Sequence, residues 1–286
     1  MATRVHGSDK TSTRTLTEEG LHQQSFFDEI EKDEERTPIP MQEHYKRVLK
    51  ALENYRFKKN ILNVFTDVVG IMALRLSILC DPYKADERKE ELKRLCKDYD
   101  EKELRNLLNL FHEMMRDLPS EPTDALGWLY MQLIPKSANT QGKVYTPVHV
   151  AGLMCEMTFN RDEFDKKVEN DGVFEIYDPC CGGGVFCISY VNLLNKQKIN
   201  YTEKVIFHLE DLDITAVHMT YIQMSYLGAS AIILHKNTLT MQTFDTFRTG
   251  GYILAHLTKE LIVRKEMEKF KPIFDLLKMD FKGETK

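Results

Sequence analysis

The sequence predicts an α/β fold: a parallel sheet with helices on both faces, preceded by a purely helical region. Three observations carry this reading. The apolar run Val173-Phe-Glu-Ile-Tyr177 passes through Asp178-Pro-Cys-Cys-Gly-Gly-Gly184 into a second run, Val185-Phe-Cys-Ile-Ser-Tyr-Val191, the pattern of a buried strand, a glycine turn and a helix start. Beyond it, short apolar runs alternate with helical periodicities, as they do in parallel sheets. Upstream, from Gln42 to Leu118, apolar residues recur at spacings of three and four. A chain of 286 residues with 42% hydrophobic content can bury one sizeable core, with or without an appended helical region.

In chain order, residues 1 to 38 carry Ser, Thr, Glu, Asp and Lys with few apolar anchors and end in Thr37-Pro-Ile-Pro40, which reads as a mobile tail spanning residues 1–40. Its acidic run from Asp28 to Arg36 reads as a solvated face. A helical region over 41–120 follows: Tyr45, Val48, Leu49, Leu52 and Tyr55 share one face, as do Ile61, Val64, Phe65, Val68, Ile71 and Met72. After Asp81-Pro82, which reads as a helix terminator, helices are expected over Glu87 to Lys97 and Glu101 to Arg116, with Met114 and Met115 as core packing. An α/β domain over 121–286 opens with a short capped helix at Asp124-Ala-Leu-Gly-Trp-Leu-Tyr130, a turn at Gln141 to Pro147, and a helix from Val148 to Phe159 begun by proline. After the glycine turn the pattern gives a strand Lys204 to Glu210, a helix Thr215 to Leu227, and strands Ala231 to Leu234 and Tyr252 to Ala255. An amphipathic helix from Glu260 to about Leu277 ends the series.

Net charge of −5 lacks the basic excess of a protein that holds duplex DNA unaided, although a local basic patch is compatible with it. The six cysteines, Cys80, Cys96, Cys155, Cys180, Cys181 and Cys187, show no C-x-x-C pairing and read as free thiols of a reducing cytoplasm. No leader-like segment and no long uninterrupted apolar stretch is present, so a cytoplasmic location away from membranes is expected. His208, His218, His235 and His256 lack metal-ligand spacing, and no metal is expected.

The glycine turn presents backbone N–H groups, admits close approach of a ligand, and sets an acid at a strand's carboxyl end, which suits a nucleoside-bearing cofactor. Three further segments line up with it. Asp124-Ala-Leu-Gly-Trp-Leu-Tyr130 leads to Gly142-Lys-Val-Tyr-Thr-Pro147; Glu210-Asp-Leu-Asp213 ends the second strand; His235-Lys-Asn-Thr-Leu239 follows the third. Together the four resemble the N6-adenine DNA methyltransferases, particularly the modification subunits of type I restriction systems, over roughly Asp124 to Ala255. The resemblance implies a Rossmann-like, S-adenosylmethionine-dependent core with an incomplete sheet. It also implies cofactor contacts from Tyr145, Thr146, Pro147, Asp178, Cys180, Gly182, Gly184, Asp211 and Asn237. Asp211 is the expected ribose acid, while Asp213 reads as an N-cap; Asn237 is either an adenine reader or a turn residue.

The resemblance breaks at the reaction centre. Adenine methylases of this family carry Asn-Pro-Pro-Phe or Asp-Pro-Pro-Tyr at the fourth strand, where the polar oxygen and a proline carbonyl hold the target amino group and the ring stacks on the flipped base. This chain has nine prolines and no Pro-Pro, and His256-Leu257-Thr258-Lys259 stands in that position. The chain also leaves no room for the later strands of a complete sheet. Two functions are therefore expected: an adenine methyltransferase-like protein that binds the cofactor but is weak or inactive alone, acting on DNA with a partner subunit; or a non-catalytic binding protein, decoy or partner of a restriction-modification system.

Overall fold

The computed structural model describes residues 38–81, 84–134 and 146–255. Four helices come first: α1 (Met41–Glu53), α2 (Ile61–Cys80), α3 (Ala85–Cys96) and α4 (Glu101–Arg116). The starts of α2 and α4 follow side-chain chemistry, since Asn60 accepts the Leu62 N–H and Asp100 accepts the Glu103 N–H, each satisfying an orphan donor of a first turn. α2 is long and apolar enough to cross a membrane by length and composition. Here it is a core helix, with Val64, Phe65, Val68 and Ile71 fully buried. Asp81 ends it, as the terminator reading expects; Pro82 and Tyr83 lie outside the described residues.

The α/β part continues with α5 (Ala125–Leu133), α6 (Val148–Thr158), α7 (Arg161–Asp171), β1 (Phe174–Asp178), α8 (Val185–Lys196), the single turn α9 (Tyr201–Lys204), β2 (Val205–Asp211), α10 (Ile214–Tyr226), β3 (Ser230–Asn237) and β4 (Gln242–Arg248). α7 is absent from the expected elements, because its polar composition hides its one buried residue, Phe164. Asn160 caps it and Gly172, with φ of 79°, closes it. The sheet order is β1-β2-β3-β4. β1, β2 and β3 are parallel, with Ile176 opposite Phe207 and Leu209 opposite Ile233, whereas β4 runs antiparallel to β3 with Phe247 opposite Ile233. The outer edge of β1 has no strand beside it among the described residues.

One expectation requires correction. The fourth strand lies at Gln242–Arg248, and residues 250–255 are helical instead of forming a strand Tyr252 to Ala255. Thr249 makes the change of structure: its Oγ1 accepts from Ala231 N and Tyr252 N, and its carbonyl accepts the Ile253 N–H in the first helical turn. A short apolar run has no period of its own, so it reads equally as strand or buried helix. The layering is asymmetric among the described residues. Val205, Phe207, Leu209, Ala231, Ile233 and Phe247 are all at most 1% exposed and face the helices, with Phe247 packed on His218 and Tyr221 of α10. The opposite face, with Ile206, Ile232 and Leu234 at its centre, joins no part of the hydrophobic core, so the described helices cover one face only.

The helical region and the sheet share one core, in which Val48, Phe65, Leu107 and Met114 cluster with Phe207, Tyr221 and Ile233. β4 is tied to this body by charge. Arg88 of α3, 1% exposed, donates from Nη1 and Nη2 to the Asp245 carboxylate at 2.5 and 2.9 Å and lies 4.0 Å from the Phe247 ring centroid. Arg248 pairs with Asp81 at 2.9 Å. Burial works against ionisation of Asp245, yet the Arg88 hydrogen bonds and charge hold its carboxyl below the usual range.

Candidate cofactor site

The carboxyl ends of β1, β2 and β3 converge on the glycine turn. Gly182 and Gly184 hold φ of 56° and 96°, a region costly to residues with a Cβ, and Gly184 starts α8 as its N-cap. The turn is fastened to its surroundings at each residue. Cys181 N donates to Glu210 O, Gly182 N donates to Asp211 Oδ2 at 2.9 Å, and Thr220 Oγ1 donates to Gly182 O. Gln223 Nε2 donates to Gly183 O at 2.6 Å and to Asp124 Oδ1 at 2.8 Å, while its Oε1 accepts the Leu126 N–H. Asp124 in turn caps α5 by accepting the Gly127 N–H at 2.8 Å. The Asp124 lead-in and the glycine turn, distant in sequence, are thus one structure bridged by Gln223. Burial raises the Asp124 carboxyl, offset in part by the bonds from Gln223 and Gly127.

Asp178, half-buried at the end of β1, stands beside the turn. Its Oδ1 accepts the Cys180 N–H at 3.0 Å, whereas its Oδ2 is buried and has no hydrogen-bond partner. Burial raises its pKa, and the neighbouring Asp211 charge adds to the rise. Two carboxylates without a cation between them favour a positively charged ligand. Asp211 already accepts from Gly182 N and, through Oδ1, from Asp213 N at 2.8 Å. Asp213 caps α10 by accepting the Thr215 N–H, as its N-cap reading expects. Leu212, 59% exposed, stands between them as an apolar surface at the strand end.

Of the other sequence candidates, Cys180 is exposed on the turn, and burial together with the Asp211 and Asp178 charges pushes its thiol up. Pro147 caps α6, whose Cys155 thiol reaches the Phe186 carbonyl of α8, so Thr146 and Pro147 begin a helix laid against the one that follows the turn. Asn237 Oδ1 accepts from Leu239 N and Thr240 N, the turn role among its two readings. Tyr145, His256, Leu257, Thr258 and Lys259 lie outside the described residues. Sequence reasoning missed a buried pair beside the site: Lys236 Nζ lies 2.6 Å from Glu210 Oε1, and Thr238 Oγ1 donates to Glu210 Oε2 and lies 3.0 Å from Pro179 O. It had one sequence signal, an oppositely charged pair at the ends of adjacent strands.

A mostly parallel sheet whose first strand ends in an acid and a glycine turn, and whose second ends in an acid held to that turn, is consistent with the methyltransferase fold among nucleoside-binding α/β proteins. Residues 121–258, just under half of the chain, match the N-6 DNA methylase family model, whose members are S-adenosylmethionine-dependent methyltransferases. No curated protein matches the chain.

Proposed function

We propose that this protein binds S-adenosylmethionine at the glycine turn and, by itself, transfers little or no methyl to adenine in DNA. The observation that carries the binding reading is the buried, partnerless Asp178 Oδ2 beside the turn, which fits the ammonium of the cofactor's methionine part. When bound, the cofactor supplies a methyl group made electrophilic by its sulfonium. The chain supplies the remainder: Gly182 and Gly184 let the ligand approach the main chain, Asp211 retains lone pairs for a ribose diol, and Leu212 offers a surface to an aromatic base. On this reading Thr146, Pro147, Cys180 and Asn237 add further contacts to the cofactor.

Weak transfer is supported by two facts about the matched segment. It contains no Pro-Pro, and the position held by His256-Leu257-Thr258-Lys259 follows the helical residues 250–255 instead of a sheet strand. Without an aromatic ring and a carbonyl clamp, a flipped adenine has neither a stacking partner nor an acceptor for its amino protons. Action on DNA together with a partner subunit of a restriction-modification system, in the cytoplasm, follows from this reading.

Titration calorimetry tests the binding. Wild type is expected to give saturable heat, and Asp178→Asn to bind at least tenfold more weakly; absence of heat from the wild type sinks the proposal. A tritiated-methyl assay on adenine-rich duplex tests the second part, and robust labelling by the isolated chain overturns it.

A further inference from the structure

The carboxyl ends of the three parallel strands carry a second polar network, on the sheet face that the described helices leave uncovered. Side chains alternate along a strand, so Leu209 and Asp211 of β2 face the helices while Glu210 faces the other way, together with Tyr177 of β1 and Lys236 of β3. Lys236 Nζ lies 2.6 Å from Glu210 Oε1, with the two side chains only 9% and 4% exposed. Taking both ions out of water offsets much of their attraction, so such a pair is a weak source of stability and a better device for fixing one geometry.

The geometry fixed here is that of Thr238. Its hydroxyl has one proton and two acceptors, Glu210 Oε2 at 2.8 Å and Pro179 O at 3.0 Å. Pro179 O belongs to the same planar peptide as the Cys180 N–H, which donates to Asp178 Oδ1 at 3.0 Å. One rigid plane is held at its oxygen by the end of β3 and, through its hydrogen, holds the carboxylate at the end of β1.

We propose that Thr238, backed by the Glu210–Lys236 pair, is a positioning residue for Asp178: it fixes the Pro179–Cys180 peptide and, through that peptide, aims the partnerless Oδ2 of Asp178 at the cofactor's ammonium. The proposal rests on the cofactor reading given above. Without the hydroxyl the peptide is free to swing, the Cys180 N–H leaves Oδ1, and the carboxylate turns with it. Asp211 is fastened separately, by Gly182 N and Asp213 N. The loss therefore falls on the amino-acid end of the cofactor and spares the nucleoside end.

Titration calorimetry on the full chain compares S-adenosylmethionine with methylthioadenosine, which keeps the nucleoside and the sulfur but lacks the amino-acid part. Thr238→Val, which keeps the shape and loses the hydroxyl, is expected to weaken S-adenosylmethionine at least tenfold and methylthioadenosine less than twofold. Thr238→Ser restores the hydroxyl and should return wild-type affinity for both. Equal weakening of the two ligands, no weakening, or failure of serine to rescue overturns the proposal. If the wild type binds neither ligand, the cofactor reading fails by itself, and amide exchange measured by NMR on the ligand-free chain decides the role of Thr238. The Cys180 N–H is expected to exchange at least tenfold faster in Thr238→Val, while the Gly127 N–H, held by Asp124, keeps its wild-type rate. An unchanged Cys180 rate overturns the proposal, and so does equal acceleration at both amides, which marks general loosening.

Discussion

Gly183 shows how much of the site depends on one missing methyl group. A Cβ there would lie 3.0 Å from both Asp124 carboxylate oxygens and 3.3 Å from the Gly127 Cα. Its carbonyl is also the acceptor for Gln223. Gly183→Ala is therefore expected to push Asp124 off Gln223, to cost about 1–3 kcal/mol in thermal or urea unfolding as overpacking does, and to weaken cofactor binding at least tenfold by calorimetry. Wild-type affinity in a folded variant would separate the turn from the lead-in. The glycines and Asp178 were legible in the sequence because strand, acid and glycine at that spacing have few other uses. Gln223 was not, since it is an ordinary residue inside a helix and its partners stand 40 to 99 residues away. Asp211 was legible as an acid at a strand end, but not as the residue that accepts the turn's own Gly182 N–H.

At the scale of elements, the least expected one is β4. Its sequence, Gln242 to Arg248, alternates poorly in hydropathy, and only Phe247 is fully buried. Tertiary charge, invisible to any local pattern, decides its place: Arg88 arrives from α3, 157 residues away, to neutralise Asp245. α1, α2 and α4 were legible from periodicity alone, because each buries a long stripe. Truncating Arg88 to Ala leaves Asp245 without its cation and Phe247 without its cover, and is expected to lower stability by about 3–5 kcal/mol. Replacing both partners, Arg88→Met with Asp245→Leu, should recover much of that loss, since paired apolar groups of similar volume avoid the desolvation of ions. Urea unfolding of the two variants checks this, and equal losses would deny that the pair itself is what matters.

The described helices and sheet share one core, and the stability of this fold is expected to respond to pH through a residue at the junction of α2, α10 and β4. His218 is 6% exposed, close to Gly70 and edge-on to Phe247 at 5.2 Å. Burial, with the Arg88 charge adding to it, lowers its pKa to about 4. The unfolded chain binds this proton at about pH 6.5, so the neutral ring's contribution is complete above that value and is lost as pH falls from there to about 4. Relative to His218→Phe, wild type should lose about 3 kcal/mol across that window. Parallel pH-resolved melts measure the difference, and curves that stay parallel would refute a neutral buried ring. The strand order carries a different consequence. With β3 covered by β4, another strand could join the sheet only at its two ends, beside β1 or beside β4. The two ends are not equivalent: a newcomer beside β1, whichever chain it belongs to, would lie alongside Phe174–Asp178 and arrive at the acid that has an oxygen to spare.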